Sequence, residues 1–153
     1  MVAIVCGSRK LTDGAFVFDE LDKVHERQNI TLLVEGGQRT QDKDGRVIGG
    51  ADHWARMWAV ARSIPYATEA ADWHYLKHPE ADIRQNRNGT KYDRNAGPRR
   101  NQLMIDKYRP TRLIAFKGGA GTRNMIIAAR RAGLDIVVVR PSEGTPLFDG
   151  VPA

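Results

Sequence analysis

Five short apolar runs alternate along the chain with stretches in which apolar residues recur at helical spacing. Buried parallel strands read as continuous apolar runs, whereas surface helices place apolar residues three to four positions apart. The alternation therefore predicts strands separated by helices. The predicted strands are Val2 to Cys6, Thr31 to Val34, Ile64 to Ala67, Arg112 to Phe116 and Ile136 to Val139.

Cap residues and apolar spacing predict four helices between these strands. The first begins at Thr12 or Asp13, either of which can cap its N-terminus. In the third, Pro98 suits the first turn, and Leu103 and Met104 are expected to point inward. The last three helices are predicted over Ala51 to Arg62, Arg99 to Lys107 and Thr122 to Ala132.

Strands that alternate with helices predict an α/β fold with a parallel sheet, because right-handed crossovers return each strand in the same direction. Five strands most simply take the order 3-2-1-4-5, with helices on both faces in three layers. In such sheets ligands lie beyond the carboxyl ends of the strands, where the chain order reverses. Three glycine turns should converge there: Gly7-Ser8-Arg9, Glu35-Gly36-Gly37 and Gly118 to Thr122.

The turn from Gly118 to Thr122 joins the fourth strand to the last helix. Glycine lets backbone N–H groups approach a ligand closely, and a helix start adds unpaired donors and the positive end of its dipole. A phosphate is the natural ligand of such a corner. A glycine turn also satisfies the packing of an α/β fold without any ligand, and the corner alone does not separate these interpretations.

The composition bounds the organisation of the chain. With 153 residues, 41% of them hydrophobic, the chain can bury one core, which predicts a single domain over residues 1–153. Two polar inserts, at about 38–48 and 77–95, have the composition of loops outside that core. The proline- and glycine-rich tail from Pro141 is expected to pack loosely.

Charge and cysteine content indicate the kind of partner and the cellular compartment. A net charge of +6 and a pI near 9.8 favour an anionic partner. The single cysteine, Cys6, excludes an internal disulfide and lies in an apolar strand, where inert packing is expected. The apolar start runs directly into Gly7, too short for a signal peptide or the ~20 residues of a membrane span, which predicts a cytoplasmic protein.

Five segments, in this order, carry a further pattern: Val5 to Arg9; Glu35-Gly36-Gly37 with Gly50-Ala51-Asp52 and Ala55; Ala71-Asp72-Trp73; Ala96 to Asn101 with Met104; and Ala115 to Thr122. Together they resemble the YspA/YpsA-related branch of the SLOG superfamily, from Val2 to about Val139. The resemblance implies a Rossmann-like fold. Its relatives include the Lonely Guy phosphoribohydrolases, lysine-decarboxylase-like proteins and the DNA-processing protein DprA.

The resemblance also bears on catalysis. In the Lonely Guy enzymes a glutamate lies three residues past the threonine of the glycine motif, and an arginine on the preceding helix completes the site. Arg100 matches the arginine, but Met125 stands at the glutamate position. Glu35, Asp52 or Asp72 could supply a carboxylate instead, and each also has a structural interpretation as a solvated residue, a helix cap or an arginine partner.

These observations favour binding of a nucleotide or ADP-ribose-like ligand, with its phosphate at the glycine corner, and no cofactor or metal is expected. The first alternative is a nucleotide N-glycosidase with Arg100, Glu35 and Asp52 as catalytic residues; the second is DprA-like binding of single-stranded DNA. Nucleic acid is less favoured because the insert 77–95 offers only Tyr92 among its basic residues. A homo-oligomer is also expected. The predicted ligand-binding residues are Gly7, Ser8, Arg9, Gly36, Gly37, Asp52, Asp72, Trp73, Arg100, Asn101, Gly118, Gly119, Gly121 and Thr122.

Overall fold

A computed structural model describes residues 1–141, and the backbone of residues 146–148 and 151–152. Most of the tail predicted from Pro141 lies outside the described residues. In chain order the elements are β1 (Val2–Cys6), α1 (Gly14–Arg27), β2 (Leu32–Glu35), β3 (Thr40–Gln41), β4 (Val47–Gly49), α2 (Ala51–Ala61), β5 (Tyr66–Thr68), β6 (Ile83–Gln85), β7 (Lys91–Asp93), α3 (Ala96–Tyr108), β8 (Arg112–Ala115), α4 (Ala120–Arg131), β9 (Asp135–Val138), β10 (Pro146–Phe148) and β11 (Val151–Pro152).

The five predicted strands form one sheet in the order β5-β2-β1-β8-β9, and every neighbouring pair is parallel. This arrangement confirms the predicted α/β fold and the order 3-2-1-4-5. The first strand lies at the centre because its apolar residues are buried on both faces, as Ala3 and Ile4 illustrate.

Two apolar clusters fill the space between the sheet and the helices, one on each face of the sheet. On one face of the sheet, helices α1 and α2 pack Leu21 and Trp58 against alternate strand residues such as Val5. On the other face, α3 and α4 pack Met104 and Met125 against the intervening residues. Because successive strand residues point to opposite faces, the apolar runs supply both clusters, and the fold is a Rossmann-like sandwich of three layers.

The helix boundaries confirm some predicted details and correct others. The Asp13 side chain caps α1 by accepting the Phe16 amide at 3.0 Å, and Pro98 lies in the first turn of α3. Helix α4 begins at Ala120, not at Thr122, because Gly119 already occupies the cap position. The expectation for Leu103 was wrong: it is 47% exposed, since Met104 and Ile105 take the buried face of α3.

The two polar inserts are not simple loops. The first contains the antiparallel hairpin of β3 and β4, and the second contains the hairpin of β6 and β7. Tight turns explain the first hairpin, where Asp42 Oδ1 accepts the amides of Asp44 and Arg46 at 2.9 Å. Strands this short and polar carry too few apolar positions for a pattern to show them.

No helix in the described part of the chain is both long and apolar enough to cross a membrane.

Candidate functional site

The central strands β1 and β8 end side by side, and this pairing builds the site. Cys6 lies opposite Ala115 in the parallel register, so the turns after both strands leave the sheet together. The Ser8 amide then donates a hydrogen bond to the Lys117 carbonyl at 2.9 Å, which ties the two turns. A cavity of about 550 Å³ opens above them, at the point where the strand order reverses.

The glycine corner forms one wall of this cavity. Gly119 is the cap residue of α4, and no side chain caps this helix, so its first amides keep their hydrogen-bonding capacity. A Cβ at Gly119 or Gly121 would meet nothing within 4 Å, which leaves the approach to those amides open. A Cβ at Gly118 would instead clash with the Thr122 side chain and lie 2.9 Å from the Ser8 amide. Gly118 is therefore required by packing, and the two later glycines keep the wall accessible.

Arg100, which lies on α3, lines the side of the cavity opposite the glycine corner. Its Nη1 donates to the Gly36 carbonyl at 2.8 Å and to the Glu69 carbonyl at 3.1 Å. Its Nε donates to Asn101 Oδ1 at 3.0 Å. These bonds hold the guanidinium against the ends of β2 and β5. Among the described residues, Nη2 has no hydrogen-bond acceptor.

Asn101 joins this side of the cavity to the glycine corner. It is 4% exposed, and its Nδ2 donates to Asn124 Oδ1 at 3.0 Å and to the Gly121 carbonyl at 3.4 Å. The amide therefore fixes the first turn of α4 relative to Arg100, the next residue along α3. Asn124 also lines the cavity. Sequence reasoning missed Asn124, although its position three residues after Gly121 places it on the same helix face.

Asp52 is the carboxylate that lines the cavity. It lies in the first turn of α2, after the cap residue Gly50, and accepts the Gln38 amide at 3.1 Å. The structure excludes the interpretation of Asp52 as a helix cap. Burial raises the pKa of Asp52 to about 7, and the neighbouring Glu35 charge adds to the rise, while the Gln38 amide and Arg100 oppose it.

Glu35 is buried at the end of β2, with 1% exposure, and does not line the cavity. Its carboxylate accepts hydrogen bonds from the Gly37 amide and from the Thr68 hydroxyl. Burial raises the pKa of Glu35, and these two hydrogen bonds oppose the rise. The expected solvated strand end is therefore wrong, and Glu35 braces the turn into the first insert.

The remaining predicted residues divide into two groups. Asp72 is exposed and lies outside the cavity, as do Gly37 and Gly118. Trp73 lines the cavity and packs on Gly97, where a Cβ would lie 2.6 Å from the indole ring. The cavity thus collects Gly7, Ser8, Arg9, Gly36, Asp52, Trp73, Arg100, Asn101, Gly119, Gly121 and Thr122 from the predicted set.

Three sulfur-containing residues, Cys6, Met104 and Met125, also line the cavity. Cys6 lines the cavity, and burial raises the pKa of its thiol so far that the thiol stays protonated and unreactive. Met125 also lines the cavity and is 1% exposed. Neither a protonated thiol nor a thioether can accept a proton at neutral pH, so Asp52 is the proton acceptor among the described residues that line the cavity.

The sheet order and the cavity at its switch point define the class: a Rossmann-like α/β domain with a cleft at the carboxyl ends of its strands. Residues 1–75 match the model of YAcAr, the YspA, cpYpsA-related SLOG family. This match confirms, over these residues, the resemblance to the SLOG family that the motifs predicted. The matched stretch includes the turns after β1 and β2, Asp52 and Trp73. No curated protein matches the chain significantly.

Proposed function

We propose that this protein binds a nucleotide or a nucleotide-derived, ADP-ribose-like ligand, with a phosphate against the first turn of α4. The observation that supports the proposal is that three groups able to bind a phosphate line the same cavity. The uncapped start of α4, the Ser8-Arg9 turn and the Arg100 guanidinium all face it. The match of residues 1–75 to a SLOG family model supports a nucleotide-related ligand in general terms.

The donors at this cavity suit a phosphate. Helix N-termini attract anions through free amides and the helix dipole. Nε and Nη1 of Arg100 are already bonded to protein acceptors, so Nη2 is the donor that remains for a ligand oxygen. Arg9 and Lys10 add positive charge to the rim. Together they offer backbone donors, a positioned guanidinium and a favourable electrostatic potential.

Isothermal titration with AMP, ADP, ADP-ribose and NAD tests this proposal. Gly121→Val should abolish binding, because the added methyl groups would cover the amides of the first turn. Ala132→Val is the matched control, since it adds the same side chain at the exposed far end of α4. Absence of binding by every nucleotide, or equal affinities of the wild type and Gly121→Val, would disprove this placement.

Hydrolysis of an N-glycosidic bond is the second candidate, and Asp52 is the observation that favours it. In this reaction the bond from the ribose C1′ to the base breaks and a water oxygen bonds to C1′. The proton that the water loses passes to the base of a nucleoside monophosphate, or to solvent for NAD, whose nicotinamide leaves as a neutral base. A group that titrates near neutral pH is suited to move that proton, and Asp52 lines the cavity with a pKa of about 7.

Incubation of the protein with nucleoside monophosphates or NAD, followed by chromatography for free base, tests the hydrolytic candidate. Activity that is lost in Asp52→Asn would establish it, because the amide keeps an acceptor for Gln38 but does not transfer a proton at neutral pH. Binding without release of base would leave the protein as a binding module. Homo-oligomerisation and a cytoplasmic location stay predictions, and light scattering measures the first.

A further inference from the structure

A second compartment adjoins the cavity. It has a volume of about 450 Å³, comparable with the first, and its lining comprises Arg9, Gln38, Trp73, His74, Asn86 and Tyr92. Arg9, Gln38 and Trp73 line both compartments, so the two are direct neighbours. Each volume alone falls within the range of ~300–1,000 Å³ that is usual for small-molecule sites.

The wall of this compartment is anchored to the domain. Asp93, at the end of β7, is fully buried, and its carboxylate accepts the amides of Asp82 and Asn95 and pairs with Arg99 on α3. The Asp93 amide in turn donates to the Trp73 carbonyl at 2.7 Å. These bonds attach both strands of the hairpin to α3 and to the Trp73 segment, which gives the compartment a definite shape.

The lining of the second compartment has a distinct chemistry. Its described residues comprise the aromatic residues Trp73, His74 and Tyr92 and the amide residues Gln38 and Asn86, and none of them carries a carboxylate. Aromatic faces with nearby amides suit a flat, hydrogen-bonding ring such as a nucleobase. Arg9, where the compartments meet, is placed for an anionic linkage between two halves of a ligand.

We propose that the ligand has two parts and belongs to the class of pyrophosphate-bridged dinucleotides. This inference rests on the proposed function and extends it. One nucleotide occupies the first cavity, with its phosphate on α4; the pyrophosphate passes Arg9, and the second ring stacks in the compartment of the β6–β7 hairpin. The hairpin lies beyond residue 75, outside the stretch that matches the SLOG family model, and it contributes Asn86 and Tyr92 to the second subsite.

Titration with NAD and with AMP tests the inference, since AMP fills only the first cavity. NAD should bind the wild type at least about tenfold more tightly than AMP. Tyr92→Ala should weaken NAD binding by about tenfold to a hundredfold, the range for loss of one base–aromatic stack, and leave the AMP affinity unchanged. Tyr75→Ala is the control, because Tyr75 is an exposed tyrosine just before this insert and is not among the residues that line either compartment.

Asn86→Ala provides a second variant if Tyr92→Ala disturbs the hairpin, since Asn86 is exposed and its side chain can be shortened without creating a cavity. Asn86→Ala should weaken the binding of NAD and leave the binding of AMP unchanged. Equal affinities of the wild type for NAD and AMP would overturn the inference and leave the proposed function intact, as would a variant that weakens both ligands equally. Failure of both ligands to bind the wild type would remove the proposed function and this inference together.

Discussion

Arg100 lies where a side chain on Gly36 would have to stand. A Cβ at Gly36 would be 2.5 Å from Arg100 Nη1, and the same nitrogen donates to the Gly36 carbonyl at 2.8 Å. The absence of a side chain at the end of β2 therefore lets an arginine of α3 cross above the strand. The glycine acts on the cavity through the position of the guanidinium.

Gly36→Ala should therefore weaken ligand binding by displacing Arg100. Arg100→Ala should cost about 1.5–3 kcal/mol of binding free energy, the range for hydrogen bonds to charged groups. Gly36→Ala should cost part of the same binding free energy. Calorimetric titration of both single variants and the double variant measures this. If Gly36 acts through Arg100, Gly36→Ala should have no effect in the Arg100→Ala background; additive losses would contradict the coupling.

Gly118 and Gly119 should respond differently to the same substitution. Gly118→Ala should lower the free energy of unfolding by about 1–3 kcal/mol, as overpacking does, because its Cβ would clash with Thr122 and crowd the Ser8 amide. Gly119→Ala should leave stability nearly unchanged, since its Cβ would meet nothing within 4 Å. Urea denaturation of the two variants compares them. Equal losses would show that the corner is not packed as described.

Asp52 should make stability depend on pH. Its pKa rises from 3.8 in the unfolded chain to about 7 in the folded protein, so the folded state binds more protons between these values. The free energy of unfolding should therefore fall as the pH rises from about 4 to about 7 and then level off. Asp52 should account for a loss on the order of 4 kcal/mol over this range. Glu35, whose pKa is also raised, contributes with the same sign.

Urea denaturation at a series of pH values from 4 to 8 checks this prediction, with Asp52→Asn as the comparison. The variant retains an acceptor for the Gln38 amide but does not ionise, so its advantage over the wild type should grow as the pH rises through the window. Parallel pH profiles of the two proteins would show that Asp52 does not titrate in this range.

Single-stranded DNA should bind weakly and without sequence preference, with a steep dependence on salt. Two cations in and beside the second insert are already paired: Arg84 with Asp82 at 2.9 Å, and Arg99, at the start of α3, with the buried Asp93. Fluorescence anisotropy at two salt concentrations measures the affinity. Submicromolar binding at physiological salt, lost when Arg84, Arg87, Lys91 and Arg94 are neutralised together, would reverse the ranking of partners.

The amino-acid sequence by itself determined the order of strands and helices and the sheet order that follows from it. Apolar runs such as Val2 to Cys6 predict buried strands because periodicity reflects burial, and a chain of alternating elements has few allowed topologies. The convergence of the glycine turns follows from the same rule, since the carboxyl ends of parallel strands share one edge. The sequence alone therefore predicted the position of the site at this edge of the sheet.

Only the tertiary structure decided which side chains at that edge face the cavity. Glu35 and Asp52 looked equivalent in sequence, yet Glu35 turns to Thr68 and Gly37 while Asp52 lines the cavity from α2. Asp72 faces solvent, and Tyr92 enters a second compartment. Such choices depend on contacts between residues distant in the chain, such as Asp93 with Arg99, and local hydrophobic patterns carry no information about them.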